Sequence, residues 1–597
     1  MDTVSGESHD RLRQAIDAEI NSLEQSIRVL KARRNALAPI SRLPPESLAA
    51  IFSFLPPSAN DLKWICVSHV CRQWREAALN HPRLWSHINL TKPAPTAIAE
   101  IFARAKTVPL YLDVDFPEWR SLEKVDAFER QVDAHISHTR HLRLCGLLPP
   151  LERLVSSAPT LEFLSLLHKY GPSDQIILPA NLFNCTTPSL TSLELVGCDI
   201  SWKSPLLKGL QALEIRWPSA EARPKLEDWL DALNEMSQLK TLSLHSATPV
   251  APPAPLTSEP SRTVTLPSLT KFDISASAKN CTLAFAHLVM PALTWLHIVA
   301  KSHKKEGEDM QPIIPYIARN VLGLQETEPL RNILISSHGT RLKVFAWIMP
   351  DADLDGYNSW RYDASVPARL TFTAEGMNWR RGVDMRTFDA LSAILPVDSV
   401  LTFVAHDYTR LSKEFWLSQA PRWSSLEQVH LGPTAVKGFR DMLAEDVPPD
   451  GPRLPLLKKL ILIHVALTTP RTLSLRDMLI ERVEQGVPLE VLDLRTCVAP
   501  EHIVQLFREI VVDVTEPPAR DPTEEVNEFA IWDPQLFNLH AEIGSLNEVE
   551  FEDDQGPTRD ERYLSEDDED EDDDEDGAEY DDEYYDSDND YNSDDGY

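Results

Sequence analysis

The chain has 597 residues and carries 58 basic against 92 acidic side chains, a formal net charge of −34, which excludes a default nucleic-acid or anionic-membrane binder because phosphate recognition runs on surplus Lys and Arg. Glycine is scarce at 19 residues and proline abundant at 46, so glycine-rich loops that cradle phosphates are not expected. Cys66, Cys71, Cys145, Cys185, Cys198, Cys281 and Cys497 form an odd, scattered set with no C-x-x-C pair, which reads as reduced thiols of a cytoplasmic or nuclear protein rather than a disulfide framework.

Residues 1–11 are polar and offer neither the apolar run of a signal peptide nor an Arg-rich transit pattern, so they are expected to lack structure. Over residues 12–38, Ile16, Ile20, Leu23, Ile27, Leu30 and Leu37 alternate at spacings of 4 and 3, with Arg34 completing the seam. That is an a/d heptad pattern over three heptads, stopped at Pro39, and it suits either a self-associating coiled coil or one docked amphipathic helix.

Residues 40–90 read ISRLPPESLAAIFSFLPPSANDLKWICVSHVCRQWREAALNHPRLWSHINL. Pro44 and Pro45 start a helix with Glu46 in its first turn, and Leu48, Ile51, Phe52 and Leu55 follow at i, i+3, i+4, i+7 until Pro56 and Pro57 end it. Asp61 can cap a second short helix, and Ser68 a third that carries Val70, Cys71, Trp74 and Ala78. About 50 residues in three helices bury little core alone, so the unit is expected to dock on a partner. Cys66, His69 and Cys71 are close in sequence, but a zinc site wants four ligands and no partner pair is in view, so no metal or cofactor is expected.

This stretch resembles an F-box: Leu43-Pro44, Phe54-Leu55, Val70-Cys71-Arg72-Gln73-Trp74 and Leu84-Trp85 match the family's pattern in order. A heptad helix before the box and an irregular leucine-rich region after it are similar to the fungal set of such proteins. The resemblance implies a non-catalytic substrate receptor of a Skp–cullin–F-box ubiquitin ligase, with the Skp adaptor and cullin scaffold as partners. Carried over by position, the adaptor-facing residues are Leu43, Pro44, Ile51, Phe52, Leu55, Val70 and Trp74.

Over residues 91–555 a phrase of the form L-x-x-L-x-L returns, at Leu161/Leu164/Leu166, Leu190/Leu193/Leu195, Leu210/Leu213/Ile215, Leu239/Leu242/Leu244, Leu269/Phe272/Ile274 and Leu293/Leu296/Ile298. It resumes at Leu426/Val429/Leu431, Leu457/Leu460/Leu462, Leu489/Leu492/Leu494 and Leu546/Val549/Phe551. The middle residues of the first six phrases step by 29, 20, 29, 30 and 24, which fits a leucine-rich-repeat period. Each phrase predicts a short strand whose alternate side chains enter a shared core, with the intervening residues outward along a parallel sheet. The outward candidates for binding a protein substrate are Ser192, Glu194, Ala212, Glu214, Arg216, Thr241, Ser243, His245, Lys271, Asp273, Trp295, His297, Lys459, Val491, Asp493 and Arg495. Ordinary strands of a leucine-rich α/β protein would give a similar text. Insertions are expected near 247–267, 299–400 and 512–536, with hints of strand at 342–348, 370–373 and 399–404.

Residues 556–597 form an acidic tail; from Glu566 onward it holds 20 Asp or Glu and no Lys or Arg, a composition that cannot fold at neutral pH and leaves 72 acidic against 58 basic residues in the rest of the chain. The most apolar stretch, residues 454–467, is broken by Lys458, Lys459 and His464 and is too short to span a bilayer. No nucleotide-, zinc-hydrolase- or serine-hydrolase-type motif is present, so an enzyme is not expected. The expected fold class is α/β: an N-terminal helix and three-helix F-box, an irregular leucine-rich-repeat solenoid, and a disordered tail. The alternative is a scaffold that uses the F-box outside ubiquitin chemistry and binds basic proteins such as histones through the tail.

Overall fold

In the computed structural model, the described residues are 3–516 except 55–61, 90–94, 117–121, 150, 170–175, 253–259, 303–310, 322–328, 339–340, 349–367, 376–385, 408, 450, 466 and 468. The expected acidic tail at 556–597 and the phrase Leu546/Val549/Phe551 lie outside them.

Alternating burial along each short segment builds the fold. Seventeen strands among the described residues join one sheet. They are β1 (His87–Asn89), β2 (Leu110–Phe116), β3 (Thr139–Gly146), β4 (Phe163–His168), β5 (Ser192–Val196), β6 (Ala212–Arg216), β7 (Thr241–His245), β8 (Lys271–Ser277) and β9 (Trp295–Lys301). Then follow β10 (Asn332–His338), β11 (Arg341–Trp347), β12 (Leu370–Glu375), β13 (Thr402–Asp407), β14 (Gln428–Leu431), β15 (Lys459–Leu462), β16 (Val491–Asp493) and β17 (Asp513–Thr515). β1 to β9 pair in chain order and in parallel, as do β13 to β17. The two runs are bridged by β12, β11 and β10, with β11 antiparallel to both neighbours.

The interval 299–400 is therefore not an insertion: it supplies three whole strands. Its hairpin reverses direction once, which breaks the spacing on which the phrase depends, and its strand β10 carried no phrase at all. Strand β17 likewise falls inside the stretch expected as an insertion from 512. Between 247 and 267, Val264–Thr265 pairs with Leu288–Val289 in a separate two-stranded ladder.

The three apolar residues of each described phrase are buried, the first just before the strand and the last two on it, except that Leu494 directly follows β16. They enter one continuous core that extends from Trp85 to Val514. Helices cover that side, among them α5 (Leu122–His135) and α6 (Leu226–Glu235), and α7 (Ala278–His287), α8 (Ile314–Val321), α9 (Arg386–Ile394), α10 (Lys413–Gln419), α11 (Val436–Leu443), α12 (Thr469–Glu484) and α13 (Glu501–Arg508) touch one another in succession. On the opposite face, at the middle of the sheet, Leu334, Phe345, Trp347, Ala368 and Val404 form a second small core.

At the N-terminus, α1 (Thr3–Ala36) runs through residues expected to lack structure, since a helix once nucleated extends at one hydrogen bond per residue. A 3-10 turn (Pro39–Arg42) leads to α2 (Pro45–Phe52), a 3-10 helix (Leu62–His69), α3 (Arg72–Leu79) and a 3-10 turn (Pro82–Trp85). Leu48, Phe52, Val67, Ala77 and Ala78 make the small core of this unit, with Leu43, Trp74 and Leu84 packed on it. Ser68 is not a helix cap: it is buried in the 3-10 helix, and Cys71 occupies the N-cap of α3 without a side-chain hydrogen bond.

The unit is joined to the sheet. Leu84 packs on both cores, Trp85 is buried in the sheet's core, and its Nε1 donates to Ala78 O at 3.0 Å. Arg104, on α4 (Pro95–Ala105), places its guanidinium carbon 4.7 Å from the Trp85 ring centroid, and Tyr111 N of β2 donates to Ser86 O at 2.8 Å.

Two glycines mark close backbone approaches. Gly146 ends β3 at φ +102°, and a Cβ there would lie 2.1 Å from Phe116 O; a Cβ on Gly438 of α11 would lie 2.0 Å from Leu411 O. Gly146→Ala is expected to cost about 1–3 kcal/mol of stability, from overpacking and an unfavourable φ together. Urea unfolding checks it, and a variant as stable as the parent contradicts this account of the β2–β3 edge.

Candidate functional sites

Two surfaces emerge. The first is on the N-terminal unit. Helix α2 turns Leu48, Ala49 and Phe52 inward, because residues four apart share one face, and leaves Ile51 outside. Ile51 is 46% exposed, Val70 57% and Phe54 86%, and Ile40 and Cys66 are also exposed. Pro44 is exposed at the N-cap of α2, while Leu43 and Trp74 are half-buried. The Trp74 ring lies 5.1 Å from that of Phe52 at a tilt of 52°. Gln73 Nε2 donates to Ser41 O at 3.2 Å and Leu43 O at 3.4 Å, tying the approach segment to α3.

Phe52, expected to face the adaptor, is 3% exposed and belongs to the internal core. Of the apolar spacing on α2, the i and i+4 members, Leu48 and Phe52, pack inward, while the i+3 member, Ile51, stays outside. Phe54 was missed because it falls outside the apolar period of the helix. Leu55 lies outside the described residues.

The second surface is the outward face of β1 to β9. Parallel pairing in register stacks equivalent positions into rows. One row runs His87, Tyr111, His141, Phe163, Ser192, Ala212, Thr241, Lys271, Trp295. Its first four rings form two stacked pairs, His87 on Tyr111 at 4.4 Å and His141 on Phe163 at 4.1 Å, with Tyr111 and His141 tilted by 31° at 6.2 Å. Burial lowers the pKa of both His87 and His141.

The next row runs Asp113, Arg143, Ser165, Glu194, Glu214, Ser243, Asp273, His297. Neighbours in it saturate one another: Arg143 donates to Asp113 at 3.0 Å, Ser165 to Glu194 at 2.7 Å and Ser243 to Asp273 at 3.1 Å. Asp273 also lies 2.9 Å from His245 Nε2 and 3.0 Å from His297 Nδ1. Burial works against its charge, but the two imidazole N–H groups outweigh burial and hold the carboxyl below its usual range. Glu214 is held above the usual range, mainly by burial, although Arg216 lies 2.6 Å away.

The structure thus gathers Glu194, Glu214, Arg216, His245, Lys271, Asp273, Trp295 and His297 on five adjacent strands. Lys459, Asp493 and Arg495 are not part of that group: six strand spacings separate β9 from β15, roughly 29 Å at about 4.8 Å each. Asp493 is buried and paired with Arg495, which follows β16 rather than lying on it. It is a buried, ion-paired residue rather than an outward contact residue.

Chemistry beyond binding finds little support. Cys198, Cys281 and Cys497 are buried, and burial pushes each thiol up to about 12, far from a nucleophilic thiolate. Among the described residues, no group of three or more His, Cys, Asp or Glu is placed to hold a metal ion, and no helix is long and apolar enough to cross a membrane.

Residues 40–91 match the F-box-like family model, so the three-helix unit with its apolar surface is an F-box-like domain. F-box proteins are typically non-catalytic adaptors. No curated protein matches the chain.

Two outcomes follow. Phe52→Ala is expected to cost about 3–5 kcal/mol of stability while Phe54→Ala changes it by less than about 0.5 kcal/mol, a contrast that chemical denaturation reads directly. The Asp273 carboxyl titrates below its ordinary value of 3.8 in the folded chain, so its stabilising effect is complete above that value and is lost as pH falls beneath it. The stability gap between the parent and Asp273→Asn is expected to narrow as the pH is lowered below about 4; a gap that holds constant contradicts the charged assignment.

Proposed function

We propose that the chain is a non-catalytic substrate-recognition subunit of a Skp–cullin–F-box ubiquitin ligase. The observation that carries the reading is the apolar surface of Ile40, Ile51, Phe54 and Val70 left in water by a folded F-box-like domain. A small domain gains nothing from exposing Phe54 unless a partner covers it. The Skp adaptor would take that surface, and a cullin scaffold would join through the adaptor.

The remainder of the described chain acts as a leucine-rich-repeat-like solenoid whose outward rows hold a protein substrate. The rows on β5 to β9 combine both signs of charge with a half-buried Trp295, a mixture suited to a protein surface rather than to a polyphosphate. Because Leu84 packs on both cores, and Trp85 in the sheet's core donates to Ala78 O of α3, the adaptor surface and the substrate rows are held in fixed relation. The function is proximity: a substrate on the rows is kept at high effective concentration near a ubiquitin-charged enzyme at the far end of the assembly. Seven free cysteines suit a reducing compartment, the cytoplasm or the nucleus.

Co-purification tests this. The Skp adaptor and a cullin are expected with the parent, and Phe54→Ala is expected to weaken adaptor binding about 30-fold, the loss of a contact worth about 2 kcal/mol, without lowering the melting temperature. Undiminished adaptor recovery with Ile51→Asp, Phe54→Ala and Val70→Asp combined would sink the assignment.

A further inference from the structure

Helix α1 has no core of its own to join. Every residue from 12 to 34 is exposed, and Ile16, Ile20, Leu23, Ile27 and Leu30 keep between 47% and 63% of their surface in water. The seam has Ile20 and Ile27 at a and Ile16, Leu23 and Leu30 at d, the apolar stripe of a coiled-coil helix. A helix of this length with an open apolar stripe is incomplete as a single copy.

Charge indicates what completes it. Beside the seam the N-terminal half carries Asp17 and Glu19, the centre Glu24, and the C-terminal half Lys31 and Arg33, while Arg13 and Arg34 occupy seam positions towards the two ends. Side by side in parallel, two copies would set Glu19 against Glu24 of the other copy on both sides and would bring two basic ends together. Running antiparallel, Asp17 meets Lys31 and Glu19 meets Arg33 of the other copy, twice each by symmetry. Ile20 then packs on Leu30 and Ile27 on Leu23. The seam residue Arg34 falls opposite Ile16, where its long stem can cover the apolar side chain while the guanidinium reaches the acidic half. The one like-charge juxtaposition, Glu24 with its own copy at the centre, is softened because Arg28 donates to Glu24 within each helix at 2.9 Å.

We propose that α1 is a homodimerisation helix that pairs antiparallel with α1 of a second copy of this chain. The F-box-like domain follows the C-terminal end of α1, so the two domains of the pair leave from opposite ends, separated by roughly 35 Å for 23 residues at about 1.5 Å per residue. Each apolar adaptor surface stays open, and one assembly presents two substrate faces.

Light scattering on the full-length protein across micromolar concentrations tests this. The parent is expected at twice the 67.4 kDa chain mass, and Ile20→Asp with Ile27→Asp at the single-chain mass with an unchanged melting temperature. Orientation is read by charge exchange. Asp17→Lys with Glu19→Lys should dissociate the pair, and adding Lys31→Glu with Arg33→Glu should restore it. A monomeric parent overturns the proposal, as does a dimer that survives the two Asp substitutions. A dimer strengthened by Glu19→Lys would show parallel pairing and overturns the orientation.

Discussion

In-register parallel pairing is the constraint on which the rest of the described structure depends. A short strand with one apolar face has nowhere to hide it, and only the next strand, set at the same height, extends the buried surface. Once Leu164 lies beside Leu193, Leu213, Leu242, Phe272 and Leu296, the residues between them must fall in rows on the other face. A slip of one residue on any strand would drive charged side chains into the core and leucines into water. The polar rows that make the candidate substrate face are therefore a geometric consequence of the core.

The same constraint explains how the N-terminal domain is fastened. Its own core is small, five buried side chains among the described residues, and would be marginal alone. Leu84 packs on that core and on the sheet's, and Trp85 enters the larger core two residues before β1 begins. The domain thus borrows stability from the sheet. In return its apolar surface is free of any structural duty, and Ile51, Phe54 and Val70 can remain exposed.

Legibility in the sequence varied with how local each signal was. The phrase L-x-x-L-x-L marked strands from β4 to β9 and from β14 to β16 and named their buried residues, because period-2 burial is written directly into side-chain order. It failed at β10 to β13, where one antiparallel strand breaks the spacing and outward positions such as Leu334, Phe345 and Val404 are themselves buried. Arg482 shows the limit from the other side. Nothing near it in sequence announces a buried cation, yet it is 2% exposed and donates to the carbonyls of Arg453 and Leu454.

The amino-acid order alone determined the α/β class, the heptad helix, the position of the F-box-like domain, and the side of most strands that faces inward. These are properties of a few neighbouring residues, set by helical and strand periods. Only the tertiary structure decided that Phe52 is core while Phe54 is surface, and that Asp273 sits between His245 and His297. It also decided that Asp493 and Arg495 hold each other at the far end of the sheet. Each of those depends on which strand or helix lies alongside, and that choice is made by packing between segments tens of residues apart.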